Sequence, residues 1–222
     1  PETDPHIAAT YNINDPDGKS RCKAALIQEL QLDATLMEAP LLCMISRLDV
    51  QKGFDLLLSV MEGIMETGAG LAILGSGNEW MANALSKVQT RHPGRMALRF
   101  GFDGNLAHHI MAGSDIFLMP SLYEPCGLTQ MYALKYGTVP VARGTGGLED
   151  TISTFDPSTR KGNGFKFYSY DANAFLGSVR EAVSLFKKPA LWQQLVHNGM
   201  KMDFSWDRSA REYLNIYRSI QR

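Results

Sequence analysis

The sequence predicts an α/β domain: a doubly wound, mostly parallel sheet of the Rossmann-like kind. Three observations carry that reading. Six short runs of strand length alternate with stretches of helical periodicity. The runs are almost continuously apolar, as strands are when helices cover both faces of a sheet. Loops rich in Gly, Ser and Asp follow the runs, where an open α/β sheet binds its ligands.

In chain order, residues 1–20 are rich in Pro, Asp, Asn and Gly and read as an extended linker. Residues 20–32 follow as a helix. Leu41-Leu42-Cys43-Met44-Ile45-Ser46 is the first strand, and residues 54–66 form a helix with Leu57, Leu58, Met61, Ile64 and Met65 at helical spacing. Strands over residues 71–75 and 96–100 alternate with helices over 79–90 and 106–111. Asp115-Ile116-Phe117-Leu118-Met119-Pro120 is the fourth strand and residues 131–137 a helix closed by Gly137. Residues 139–143 give the fifth strand, 148–154 a helical turn and 164–168 the last strand. Helices over 172–187, 189–201 and 207–220 close the chain. The organisation is therefore a linker over 1–20, one domain over 21–200 of about 170–180 residues, and a terminal helix within 201–222.

Composition narrows the function classes. A hydrophobic content of 45% and a charged content of 20% are ordinary for a globular protein, and a net charge of −1 gives no basis for general binding to nucleic acid or an anionic membrane surface. No apolar run approaches the ~20 residues of a membrane span. Cys22, Cys43 and Cys126 have no metal-site spacing and fit reduced thiols in a cytosol-like compartment. The opening Pro1-Glu2-Thr3-Asp4-Pro5 has no signal-peptide pattern and no starting Met, so a fragment or processed product is expected.

Chemistry concentrates in the loops after the strands. In Tyr123-Glu124-Pro125-Cys126-Gly127-Leu128-Thr129-Gln130 a carboxylate, Glu124, precedes a helix. Gly127, Leu128 and Thr129 open that helix, so their backbone N–H groups are available to an anion. A carboxylate for sugar hydroxyls beside donors for phosphate points to a nucleotide-sugar site. Ser46-Arg47-Leu48-Asp49-Val50-Gln51-Lys52-Gly53 places Arg47 and Lys52 at the same sheet edge, a planar fork and a point charge suited to a diphosphate; a solvated basic loop is the equal alternative. Gly75-Ser76-Gly77-Asn78 lacks the third glycine of a dinucleotide fingerprint, which counts against a dehydrogenase. Phe102 is placed to stack on a base or to pack on its own domain. His108 and His109, adjacent on a helix, point in different directions and form no metal pair. Gly146 and Gly147 in Arg143-Gly144-Thr145-Gly146-Gly147-Leu148 allow close approach of a ligand. Cys126 has no nearby His to serve as a base and reads as a pocket-lining residue.

These blocks in this order resemble glycosyltransferase family 5, the bacterial glycogen synthases and plant starch synthases. The matching stretches are Ser46-Arg47 with Gln51-Lys52-Gly53, residues 110–115, Glu124-Pro125-Cys126-Gly127-Leu128-Thr129-Gln130 with Leu134-Lys135-Tyr136-Gly137, and Thr145-Gly146-Gly147-Leu148. Pro1-Glu2-Thr3-Asp4 resembles the segment that joins that family's two halves. Tyr132 stands where related retaining glycosyltransferases carry a second Glu.

The resemblance implies the C-terminal, donor-binding half of a GT-B enzyme that moves glucose from ADP-glucose to the non-reducing end of an α-1,4-glucan with retention. It implies Arg47 and Lys52 on the distal phosphates and Glu124 at the donor sugar. Cys126, Gly127 and Leu128 would cup the glucose, with Thr129 on phosphate and Phe102 near the adenine. No cofactor and no metal are expected, because cations replace the metal. The expected partners are ADP-glucose or ADP, the glucan acceptor and an N-terminal domain of the same enzyme, against which the terminal helix would pack. That absent domain would carry the family's Lys-x-Gly-Gly-Leu loop, so this chain alone is expected to bind nucleotide weakly and turn over essentially nothing. The alternatives are a UDP-sugar enzyme of the same fold and a free-standing nucleotide-sugar or glucan-binding module. Cytoplasm is expected for a bacterial source and plastid for a plant one.

Overall fold

A computed structural model describes residues 1–220. Its sheet has six parallel strands: β1 (Leu41–Ile45), β2 (Gly70–Gly75), β3 (Met96–Phe100), β4 (Ile116–Met119), β5 (Val139–Arg143) and β6 (Phe165–Phe167). They lie in the order β3-β2-β1-β4-β5-β6, with Leu42 opposite Ile116 and Ile116 opposite Val139. The chain winds outward from β1 in one direction and from β4 in the other. The crevice above the carboxyl ends of β1 and β4 is thus the topological switch point, the ligand site of such sheets.

Strand residues alternate between two cores. Leu42, Met44, Leu71, Ile73, Ile116, Leu118, Val139 and Val141 face one layer. That layer contains α2 (Phe54–Met65), α3 (Glu79–Arg91) and α7 (Ala172–Phe186). Leu41, Cys43, Ala72, Leu74, Phe117, Met119 and Ala142 face the other. There they meet α1 (Asp17–Glu29), α4 (Gly104–Gly113), α5 (Thr129–Lys135) and α6 (Gly147–Thr151). This burial on both faces is why the strands read as continuous apolar runs. Side-chain caps fix where the helices begin: Asn78 Oδ1 accepts from Met81 N at 3.1 Å, Asp103 Oδ1 from Leu106 N at 2.9 Å, and Asp171 Oδ1 from Asn173 N and Ala174 N at 3.0 Å.

The segment before α1 has no helix or strand, yet it lies on the domain rather than away from it. Tyr11 is buried and donates to Tyr136 O at 2.8 Å. Asp4 accepts from the Tyr136 hydroxyl at 2.5 Å, from His108 Nδ1 at 2.7 Å and from His6 N at 2.9 Å. Burial works against the ionised Asp4 carboxylate, but these hydrogen bonds outweigh it and bring its pKa down to about 2. The first helix starts at Asp17, three residues earlier than its apolar spacing indicates. Two one-turn 3-10 helices, Ala34–Met37 and Val50–Lys52, were not visible in the periodicity.

After α8 (Pro189–Met200) comes α9 (Trp206–Ile220), which has no buried residue; its Trp206, Tyr213, Tyr217 and Ile220 are all exposed. The terminal segment assigned over 201–222 includes residues 221 and 222, which lie outside the described residues. Among the described residues no helix is long and apolar enough to cross a membrane.

Candidate functional site

The two loops above the switch point are stitched together by a backbone and a side-chain hydrogen bond. Leu122 N donates to Gln51 O at 2.9 Å, and Gln51 Nε2 to Tyr123 O at 3.3 Å. Asp49 caps the Val50–Lys52 turn by accepting from Gln51 N at 2.7 Å. Gly53, at φ +80°, lies so close to Pro120 that a Cβ would sit 2.1 Å from its carbonyl oxygen. The turn therefore aims Lys52 at the neighbouring loop, where its Nζ meets Glu124 Oε2 at 2.6 Å. Ser121 Oγ donates to the same oxygen at 3.3 Å.

Lys52 and Glu124 line a cavity of about 210 Å³ with Ser46, Ser121 and Thr129. A second cavity of about 230 Å³ lies above β1, β2 and β3, lined by Arg47, Gly75, Ser76 and Phe102. Ile45 and Ser46 belong to both, so one crevice runs along the sheet edge from Phe102 to Glu124. Phe102 is 98% exposed, and the exposed Arg47 donates to Gln51 Oε1 at 3.2 Å. The structure thus brings Arg47, Lys52, Phe102, Glu124 and Thr129 to one crevice.

The Glu124–Thr129 loop is exposed at Cys126 and Leu128. The helix behind it starts at Thr129, two residues before the 131–137 range read from the sequence, with Leu128 as its N-cap residue. Among the described residues the N–H groups of Gly127, Leu128 and Thr129 find no acceptor, so they remain available as donors. Gln130 is fully buried and holds the loop from beneath, donating from Nε2 to Cys126 O at 3.2 Å and Gly127 O at 2.9 Å.

Gly146 and Gly147 approach chain rather than open space. A Cβ would sit 2.0 Å from Glu124 O at Gly146 and 1.9 Å from Cys126 O at Gly147, and Gly147 N donates to Glu124 O at 3.1 Å. The close approach read from these glycines is thus made to the backbone of the Glu124 loop.

Other sequence candidates fall elsewhere. No histidine lines either cavity. His108 pairs with Asp4, and His109 with Glu29 at 2.7 Å. Among the described residues no cluster of His, Cys, Asp or Glu could hold a metal ion. A cavity of about 530 Å³ lies at the opposite end of the sheet, between α1 and α8, with Phe186 and Trp192 in its wall. Its lysine ammonium groups are already engaged: Lys19 Nζ donates to Ala112 O, Tyr136 O and Thr138 Oγ1, and Lys23 Nζ to Ala39 O and Asp115 Oδ2.

Sequence reading assigned no role to Ser121, Gln130, Arg143 or Tyr170. Arg143 ends β5 and Ser121 follows the end of β4 by two residues, positions on the site edge that could have nominated both. Gln130 acts on the loop just before it, whereas Tyr170 acts through contacts that span the fold.

Comparison with known proteins places this arrangement. Residues 32–198 match the model of the glycosyl transferases group 1 family. A glycogen synthase of Koribacter versatilis is 46% identical over 98% of this chain and 44% of that protein. One from Anaeromyxobacter sp. (strain Fw109-5) is 46% identical over 99% of this chain and 46% of that protein. The catalytic domain of starch synthase IV from Arabidopsis thaliana, solved bound to ADP and acarbose, superposes with a TM-score of 0.90 at 36% identity, covering 100% of this chain and 47% of that one. The chain spans about half the length of the curated relatives it matches. With a Rossmann-like sheet of the GT-B type and a family match across most of its length, the chain belongs to the group 1 glycosyltransferases.

Proposed function

We propose that this chain is the donor-binding, C-terminal half of a retaining glucosyltransferase that transfers glucose from ADP-glucose to the non-reducing end of an α-1,4-glucan. The observation that carries the reading is the Lys52–Glu124 pair, at 2.6 Å in the switch-point cavity. Among the described residues Glu124 is the one acceptor of Lys52 Nζ. A donor diphosphate would draw the ammonium to itself and release Glu124 to the sugar hydroxyls or to positive charge building at the anomeric carbon. The glycogen synthase names of the relatives and the ADP in the starch synthase structure support that donor and that acceptor.

In this reading Arg47, Lys52, Thr129 and the free N–H groups of the loop stabilise charge on the leaving diphosphate, which lets the site work without a metal or other cofactor. Cys126, Gly127 and Leu128 cup the glucose, and Phe102 lies against the base. Gly146 and Gly147 serve by holding the Glu124 loop and bordering the donor. Residues 1–16 form the linker to an N-terminal domain that brings the acceptor contacts, and the exposed apolar residues of α9 dock on that domain. The chain by itself turns over essentially nothing. Cytoplasm, or plastid in a plant, is the compartment this reading assigns.

The test is glucose transfer to a maltooligosaccharide by the full-length protein, with ADP-glucose and UDP-glucose as alternative donors. ADP-glucose is expected to be used preferentially, and Glu124→Gln to lower the rate on the order of 100-fold. Equal use of UDP-glucose would remove the ADP assignment, and no transfer from either donor would overturn the proposal.

A further inference from the structure

Both loops of the proposed donor site are held from outside by a single pair of side chains. Arg143, at the end of β5, donates from Nε to Ser121 O at 2.9 Å, from Nη2 to Leu122 O, and from Nη1 to Tyr168 O at 3.1 Å. Its guanidinium lies 5.7 Å from the centroid of the Tyr170 ring. The Tyr170 hydroxyl shares its one proton between Asp55 Oδ1 at 2.7 Å, the principal acceptor, and Val50 O at 3.2 Å. One end of this strut thus fixes the carbonyls of the loop that carries Glu124. The other fixes the turn that carries Lys52.

We propose that Arg143 and Tyr170 are positioning residues that set the Lys52–Glu124 geometry from behind, with neither touching the donor. The proposal rests on the donor-site reading above. Its physical basis is that the two loops meet across 72 residues of sequence through few direct bonds. A planar fork reaching three carbonyls fixes one loop in a way that a lysine point charge cannot. Misplacement of a reacting group by about 1 Å can cost on the order of 100-fold in rate.

The experiment compares the full-length protein with Arg143→Ala, Arg143→Lys, Tyr170→Phe and a matched control, Arg95→Ala. Arg95 also ties two backbone carbonyls, Met65 O at 2.8 Å and Ala69 O at 2.6 Å, but beside the start of β3, away from the site. Thermal midpoints, kcat and donor KM are measured for each. Arg143→Ala is expected to lower kcat at least about tenfold while donor KM changes less than about threefold, with Arg143→Lys failing to restore the rate. Tyr170→Phe is expected to lower kcat by roughly threefold, because it keeps the ring and loses only the hydroxyl. Arg95→Ala is expected to lower the midpoint comparably with kcat unchanged. If Arg143→Ala loses stability but keeps its kcat, as Arg95→Ala does, the positioning role is refuted while the donor-site reading stands. If the unsubstituted protein transfers no glucose, the donor-site reading fails and the inference falls with it.

Discussion

The two ends of β4 each carry a lysine–carboxylate pair, and the pairs differ in how completely they are satisfied. At the amino end, Lys23 Nζ meets Asp115 Oδ2 at 2.7 Å; the lysine also donates to Ala39 O, and the carboxylate also accepts from Leu41 N, both at 2.8 Å. At the carboxyl end, Lys52 has Glu124 as its one acceptor among the described residues, and Glu124 receives one further contact from Ser121 at 3.3 Å. The first pair is closed: its side chains are 7% and 12% exposed and its partners are backbone groups that cannot leave. Both pairs border a cavity, but the second has fewer partners and its lysine is 22% exposed. A pair with spare valence beside an empty volume can exchange one partner for a ligand, whereas a saturated pair can only be broken.

The sharpest way to break the comparison is to remove one lysine from each pair. Lys23→Met leaves the Asp115 charge buried beside a single N–H donor and is expected to lower stability by about 3–5 kcal/mol. Lys52→Met leaves Glu124 at the edge of a cavity that water can enter, so a smaller loss, about 1–3 kcal/mol, is expected there. Denaturant unfolding of the two variants measures both. Losses of equal size would remove the distinction.

Asp4 extends the comparison to a third carboxylate, one saturated by Tyr136, His108 and the His6 amide. Its folded-state pKa, about 2, lies below its ordinary value of 3.8, so its contribution is full above about pH 4 and is lost as pH falls through 2. A shift of that size corresponds to about 2 kcal/mol. Unfolding measured from pH 5 to pH 2 is expected to show that loss in the unsubstituted chain and to lack it in Asp4→Asn. An unchanged pH profile in the variant would place the loss elsewhere.

What the sequence made legible was local. β3 and β5 occupy the residues read as strands, 96–100 and 139–143, because the buried apolar residues at the start of each run mark it even though Arg99 and Arg143 stand near the ends. The loops with Arg47, Lys52, Phe102 and Glu124 were identifiable because they follow strands, and the sheet brings strand ends together. What was hidden depends on contacts across the fold. The spacing of Gly146 and Gly147 says only that something comes close; that it is the Glu124 and Cys126 carbonyls is a matter of how two loops pack. The polar composition of residues 1–20 reads as an extended linker, yet Tyr11 and Asp4 are buried by partners more than 100 residues away. Tyr170 reaches Asp55 across 115 residues, and no periodicity encodes such a contact.

The central claim is that Lys52 is held in reserve for a ligand phosphate. The measurement that tests it most directly is calorimetric titration of this chain with ADP, alongside Lys52→Ala. The account predicts saturable binding by the unsubstituted chain, weakened about tenfold or about 1.4 kcal/mol in the variant. ADP binding of equal strength in Lys52→Ala would contradict it.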